Sequence, residues 1–263
     1  MKKRIICIFF SLLLIAGLIG CKPAEQPSHK ADEAAKHEVH WGYEGEGAPA
    51  HWGTLKPEYE LCGTGMSQSP IDLTNAFKSD LNPIKYDYKD TPLKVLNNGH
   101  AIQANYEPGS SVTIDGKQFQ LLQLHFHAPS EHSVAGELYD MEMHLVHKCE
   151  RGTLAVVGVM MKKGKQNNVI QAIWDNIPTE INKENVVEGL SLNASGLLPK
   201  DAGYFHYYGS LTTPPCSENV NWNVLKTPIE VSEEQITKFK TVMGVGTNRP
   251  VNPLNFRFLL ESR

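Results

Sequence analysis

Gln120-Leu-Leu-Gln-Leu-His-Phe-His127 is the stretch on which the reading of this chain turns. In an extended strand successive side chains point to opposite faces, so Gln123, His125 and His127 share one side. Leu122, Leu124 and Phe126 take the other side, which belongs to a core. Such an alternation predicts a half-buried β-strand. It also sets two imidazoles side by side at a separation that suits one small cation. A lone His-x-His is common on polar strand faces, so a third ligand is needed before the pair means more.

Tyr139-Asp-Met-Glu-Met-His-Leu-Val-His147 supplies it. Here Glu142, His144 and Val146 share a face, while Met143, Leu145 and His147 take the opposite one. A hairpin through the turn at 130–137 lets the two strands pair and brings His144 to His125 and His127. His147 faces away and reads as structural. Three neutral imidazoles leave the fourth position of a tetrahedral zinc site open, which is a catalytic rather than a structural arrangement. Ligand histidines need acceptors on their outer nitrogens. Gln123 is placed to serve His125, and Glu142 to serve His144.

Outward from these strands the chain is punctuated like a β-rich domain, with short apolar runs between Gly, Pro and Asn clusters. Further strands are expected at 93–97, 101–106, 111–114 and 153–161, with 119–127 and 138–147 carrying the histidines. Residues 154–161 are almost wholly apolar, which predicts a central strand covered on both faces. Helices are expected at 166–176 and 232–243. The second opens with a capping box, Ser232 and Gln235, and buries Ile236, Phe239 and Val242. The chain has 263 residues, 41% hydrophobic and 21% charged, which suits one large soluble domain of mainly β (α+β) class. A pI near 6.3 argues against nucleic acid as a partner.

The first twenty residues read as a targeting segment. Lys2, Lys3 and Arg4 precede an apolar run from Ile5 to Ile19, too short to span a membrane and suited to a signal-peptide core. Leu18-Ile19-Gly20-Cys21 resembles the bacterial lipoprotein signal, in which Cys21 carries the lipid. The expected layout is a signal peptide over 1–20, a flexible tether over 21–39 and a folded domain over 40–263. It implies export to the periplasm or cell surface and a lipid anchor in the membrane. Loss of the three N-terminal cations takes the formal charge from −4 to −7. His37 and His40, at the end of the polar stretch, read as solvated side chains. Cys62, Cys149 and Cys216 are left in an oxidising compartment, where one disulfide can form in any of three pairings.

Together with Q-L-H-F-H, the segments S-E-H, E-M-H-L-V-H and G-S-L-T-T-P-P resemble the alpha-class carbonic anhydrases in order and spacing. So do H-W-G-Y at 40–43, Q-S-P-I-D at 68–72, N-N-G-H-A at 97–101 and N-R-P at 248–250. The resemblance covers roughly residues 40–260. It implies a single domain on a large, twisted, mostly antiparallel central sheet with short surface helices. It implies zinc on His125, His127 and His144, and hydration of carbon dioxide to bicarbonate and a proton by zinc-bound hydroxide. By the same resemblance Thr212 accepts a hydrogen bond from the hydroxide and donates one to Glu131. Thr213 lies at the substrate position, and Val146, Val156, Leu211 and Trp222 line an apolar slot for carbon dioxide. His100 matches the proton shuttle, and Tyr43, Asn98 and Gln103 match residues that organise its water chain. Exported members join the segment before Q-S-P to the one after T-T-P-P, which implies a Cys62–Cys216 bridge with Cys149 reduced. Two other roles compete, an adhesive surface domain on the same fold and a zinc hydrolase acting on esters; no H-E-x-x-H motif supports the second.

Overall fold

Short runs rich in β-branched and aromatic residues, each closed by a turn residue, become the strands of this protein. The computed structural model describes residues 39–201 and 203–263. The expected signal peptide, Cys21 and the expected tether up to residue 38 lie outside the described residues. In chain order the strands are β1 (Phe77–Ser79), β2 (Lys85–Asp87), β3 (Thr91–Asn97), β4 (Ile102–Asn105), β5 (Ser111–Ile114), β6 (Lys117–His127) and β7 (Ser133–Val134). They continue as β8 (Glu137–Leu138), β9 (Met141–Lys148), β10 (Leu154–Lys163), β11 (Lys183–Leu192), β12 (Tyr204–Ser210), β13 (Glu218–Val231) and β14 (Leu260–Ser262).

Twelve strands form one mixed sheet in the order β1-β14-β12-β13-β10-β9-β6-β4-β3-β11, with β5 beside β6 and β2 beside β5. Pairing between them is antiparallel except at β1–β14 and β10–β13. The expected mainly β architecture is therefore borne out. β10 sits between β9 and β13, and Ala155–Met161 is buried throughout, which accounts for its unbroken apolar run. The β5–β6 hairpin turns on Asp115 and Gly116, both at positive φ, as a two-residue loop matching the strand twist requires.

The helices are short: α1 (Trp52–Leu55), α2 (Leu61–Thr64), α3 (Asn168–Trp174) and α4 (Glu233–Met243). Asn167 caps α3 by accepting from the Val169 and Ile170 amides. Ser232 and Gln235 form the complete capping box of α4. Trp174 of α3 packs edge-on against Phe126, ring centroids 4.6 Å apart, and stacks on Phe239 of α4. Helix α3 thus presses on the back of β6 at Phe126, between the two histidines of its front face, and α4 packs against α3.

Two details depart from the expected pattern. Leu122 is exposed, because a bulge between Leu121 and Gln123 turns Leu121 into the core in its place. Val242 is exposed too. Met243, four residues after Phe239, takes the inward position in the last turn of α4.

His147 lies on the core side of β9, fully buried, with its Nε2 2.8 Å from the Tyr88 hydroxyl. Burial pushes its pKa down from 6.5 to about 3, against the pull of backbone hydrogen bonds. Between those values the unfolded chain binds a proton that the folded chain refuses. The contribution of neutral His147 is complete above pH 6.5 and is lost as pH falls towards 3, by at most about 1.4 kcal/mol per pH unit. Urea unfolding of His147→Gln between pH 6 and 4 should show a shallower loss of stability than the parent. Parallel slopes would remove His147 from the acid sensitivity of the fold.

Candidate functional site

Register decides the site. β6 and β9 pair so that His125 stands opposite His144, His127 opposite Glu142 and Gln123 opposite Val146. The three imidazole rings are 4.7 to 5.2 Å apart, centroid to centroid. Each offers one nitrogen, and these nitrogens lie within 4.8 Å of one another.

The outer nitrogen of each ring meets an acceptor. His125 Nδ1 is 2.9 Å from Gln123 Oε1, His127 Nδ1 is 2.6 Å from the Thr247 carbonyl, and His144 Nε2 is 2.9 Å from Glu142 Oε1. An acceptor there requires the ring to carry its proton on that side. Three lone pairs, on Nε2, Nε2 and Nδ1, therefore converge. Burial holds His125 well below the usual histidine range, with His127 and His144 adding to the effect. His127 is lowered mainly by burial as well. Neutral imidazole is the form that binds metal. His127 Nε2 is buried with no hydrogen-bond partner, a costly lone pair unless a cation meets it. A set of three imidazoles fits zinc.

Behind the ligands sits Glu142, fully buried. Its Oε2 accepts from the amides of Glu131 and His132, and its Oε1 from His132 Nδ1 and His144 Nε2. Burial alone would raise its pKa, but His132 and His144 overcome that and hold it well below the carboxylate range. Glu131 is buried too. Its Oε1 accepts from the Arg249 amide at 2.8 Å. Its Oε2 has no hydrogen-bond partner and lies 3.5 Å from His127 Nε2 and 3.9 Å from His144 Nδ1. Thr212 is buried. The Thr212–Glu131 hydrogen bond that the resemblance implied is not made among the described residues, where Glu131 Oε2 turns to the imidazoles instead.

The remaining expected residues fall around this centre. Val156, opposite both Val146 and Trp222, joins them and Leu211 in one apolar cluster. Trp222 packs edge-on against His144 at 4.8 Å. The Thr213 carbonyl accepts from the Cys216 amide in the turn after β12. Gln103 pairs with His125 across β4 and β6. Asn98 Oδ1 accepts from the amides of His100 and Ala101, so its side chain shapes the loop. The Tyr43 hydroxyl is buried without a partner, and burial and then the charge of Glu131 raise its pKa well above 10. His100 is half-buried, stacked on Trp41 at 3.6 Å.

A family model described as eukaryotic-type carbonic anhydrase matches residues 47–262. The chain belongs to the alpha carbonic anhydrase family. A carbonic anhydrase of Klebsiella pneumoniae is 48% identical over 225 residues, covering 84% of this chain and 91% of that protein. A hyperthermostable carbonic anhydrase from an active hydrothermal vent chimney superposes with a TM-score of 0.83 at 49% identity, covering 85% of this chain and all of the other. The alpha-carbonic anhydrase of Thermovibrio ammonificans, solved with the inhibitor sulfanilamide, gives 0.82 at 45%, over 84% and 98% of the two chains.

In this carbonic anhydrase several supporting residues escape a reading of local sequence. Thr247 orients His127 through a backbone carbonyl, which leaves no mark on residue type. His132 stands in S-E-H, yet its hydrogen bond to Tyr207 at 2.7 Å spans 75 positions. Arg249 of N-R-P donates to Gln68 Oε1 and to the carbonyls of Ser69 and Cys62. Its amide holds Glu131, so this one residue joins the metal pocket to the segment before Q-S-P. That segment is also pinned by a disulfide between Cys62 and Cys216, 154 positions apart, and Cys149 is a free thiol. Closing so long a loop stabilises by up to about 5 kcal/mol in the chain-entropy account.

Glu142→Ala should lower affinity for zinc by about 10–100-fold, because His144 loses the acceptor that fixes its tautomer. Competition with a chromophoric chelator measures it. Unchanged affinity in a folded variant would show that Glu142 serves the fold alone.

Proposed function

We propose that this chain catalyses the reversible hydration of carbon dioxide to bicarbonate and a proton, with zinc held by His125, His127 and His144. The buried, unpartnered Nε2 of His127, converging with two other neutral imidazoles, is the observation that supports this best. Zinc would supply Lewis acidity that makes hydroxide available near neutral pH, carbonic anhydrase itself being the known example.

The protein supplies the surroundings. Gln123, Glu142 and the Thr247 carbonyl keep the three rings neutral and aimed inward. In this reading Glu131 and Thr212 would act as the acceptor and hydroxyl that orient the attacking oxygen, and Thr213 would serve the substrate position, roles supported by the family's motifs S-E-H and S-L-T-T. Val146, Val156, Leu211 and Trp222 give an uncharged molecule an apolar wall, and carbon dioxide needs no ionic clamp. His100 takes the proton that the reaction sheds. Tyr43 and Gln103 offer polar groups to water on the way, with Asn98 holding the loop.

Oxygen-18 exchange from labelled carbon dioxide, with and without a zinc chelator, tests the activity. Exchange should be fast, stop on chelation and be lost in His144→Ala together with bound zinc. Full zinc content in that variant, or exchange indifferent to chelation, would overturn the assignment.

Export with a lipid on Cys21, to the periplasm or cell surface, is the accompanying proposal. The basic-apolar-Gly-Cys order of residues 2–21 supports it, as does a disulfide suited to an oxidising compartment. Labelled palmitate should enter the parent chain and not Cys21→Ala. Equal labelling of the two would sink it.

A further inference from the structure

We propose that Phe77, Phe256 and Phe258 form a membrane-contact patch, which sinks into the headgroup region of the bilayer and so fixes how the anchored domain faces it. The proposal rests on the reading of Cys21 as the lipid-bearing residue.

The three side chains are exposed to 64%, 90% and 72%, more than any other large apolar residue among the described residues. Single exposed apolar side chains are ordinary on a protein surface, but three phenylalanines close together are not. Phe77 and Phe258 meet edge to face, ring centroids 6.1 Å apart. Phe256 sits at the tip of the turn over residues 254–257, which the Arg257 amide closes by donating to the Leu254 carbonyl, with Asn255 at φ 53°. Turn tips favour Gly, Asn, Asp or Ser, so the local backbone has no use for Phe there. Arg257 ties the turn down. Its guanidinium donates to the carbonyls of Leu254, Pro253 and Tyr208 and lies 5.5 Å from the centre of the Tyr207 ring. Leu259 is buried, and its carbonyl accepts from the Phe77 amide. With Arg257 and Leu259 drawn onto the protein, Phe256 and Phe258 are held outward on a fixed segment.

Charge does not recruit this patch. Lys78 pairs with Glu261 at 2.7 Å, Arg263 pairs with Asp80 at 3.2 Å, and Arg257 is spent on carbonyls. The contact is therefore apolar, reaching about 5–10 Å into the boundary between headgroups and acyl chains, as interfacial aromatic anchors do. A second copy of the chain would ask for more area. A specific protein interface uses roughly 800 Å² per partner, and three phenylalanines at about 150–250 Å² each fall short of it. A bilayer sets no such minimum, because the lipid already holds the domain beside it and the second contact is intramolecular. Residues 22–38 separate Cys21 from the domain. That length spans at most about 60 Å when extended, against a radius of gyration of roughly 17 Å for a domain of this size. Any face can thus reach the lipid, and the apolar one is selected.

The test places the exported full chain in vesicles of zwitterionic phosphatidylcholine brominated high on the acyl chains. The parent is compared with Phe258→Trp, and with Phe258→Trp combined with Phe77→Ser and Phe256→Ser. Hydration of carbon dioxide at the parent's rate checks that each variant is folded. Bromine should quench about half of the fluorescence added by Phe258→Trp, and the two serine changes should cut that quenching about threefold. The quenching should be the same at about 0.1 M and about 1 M salt. Unquenched fluorescence on a chain that sediments with the vesicles would overturn the patch and leave the lipid anchor standing. A chain that neither sediments with vesicles nor takes up labelled palmitate would overturn the anchor and the patch with it. Self-association in detergent that Phe77→Ser with Phe256→Ser abolishes would give the patch to a second copy. Quenching lost at high salt would make the contact electrostatic. Either result would reject the proposal.

Discussion

A carboxylate taken out of water is costly unless its oxygens are paired, and Glu142 is taken out of water completely. Four hydrogen bonds compensate it, and each fixes something the site needs. Two hold the backbone at Glu131 and His132. One aims His144. The fourth engages His132, whose far nitrogen is 2.7 Å from the Tyr207 hydroxyl, itself 2.8 Å from Ser69 Oγ. Because Glu142 accepts, His132 carries its proton on Nδ1 and its Nε2 takes one from Tyr207. Tyr207 is then free to accept from Ser69. The direction of the whole chain of bonds follows from one buried negative charge, which is the sense in which such networks are all or nothing.

The front of the sheet was legible from the sequence because strands impose a period of two. His125 and His127 on one strand, Glu142, His144 and Val146 on the next, and the apolar residues between them are all read from alternation. The alternation failed at Leu122, where a bulge adds one residue and exchanges the faces of Leu121 and Leu122. Period alone cannot reveal an insertion that keeps the flanking pattern intact on both sides. The capping box of α4 was legible for a different reason. It is a contact over three residues, so both partners sit in one window.

What stayed hidden was held by long range or by backbone. Thr247 acts through its carbonyl, a group every residue has. Arg249 reaches Gln68, Ser69 and Cys62 across 180 to 187 positions. Its side chain could have satisfied any buried acceptor. His40 reads as a solvated residue at the end of a polar stretch, and exposed it is. Only the fold reveals that His100, 60 positions later, comes back to meet it.

Those long-range links also explain how a site on a sheet gains a rigid rim. β6 and β9 carry the imidazoles, but nothing in their pairing fixes the turn after β12 that bears Thr212 and Thr213. The disulfide does so from outside the sheet, tying Cys216 in that turn to Cys62 in α2. Arg249 then accommodates the join. Its guanidinium lies against Trp52 and donates to the Cys62 carbonyl, while its own amide donates to Glu131 Oε1. A guanidinium buried to this degree persists only with its donors satisfied, and here its acceptors come from Cys62 and the Gln68–Ser69 segment. Loosening the disulfide would release Thr212 and also withdraw a ligand of the group that anchors Glu131. The residues on both sides of the three-histidine pocket thus answer to one covalent link that lies outside it, so reduction should be felt at the site before the sheet itself gives way.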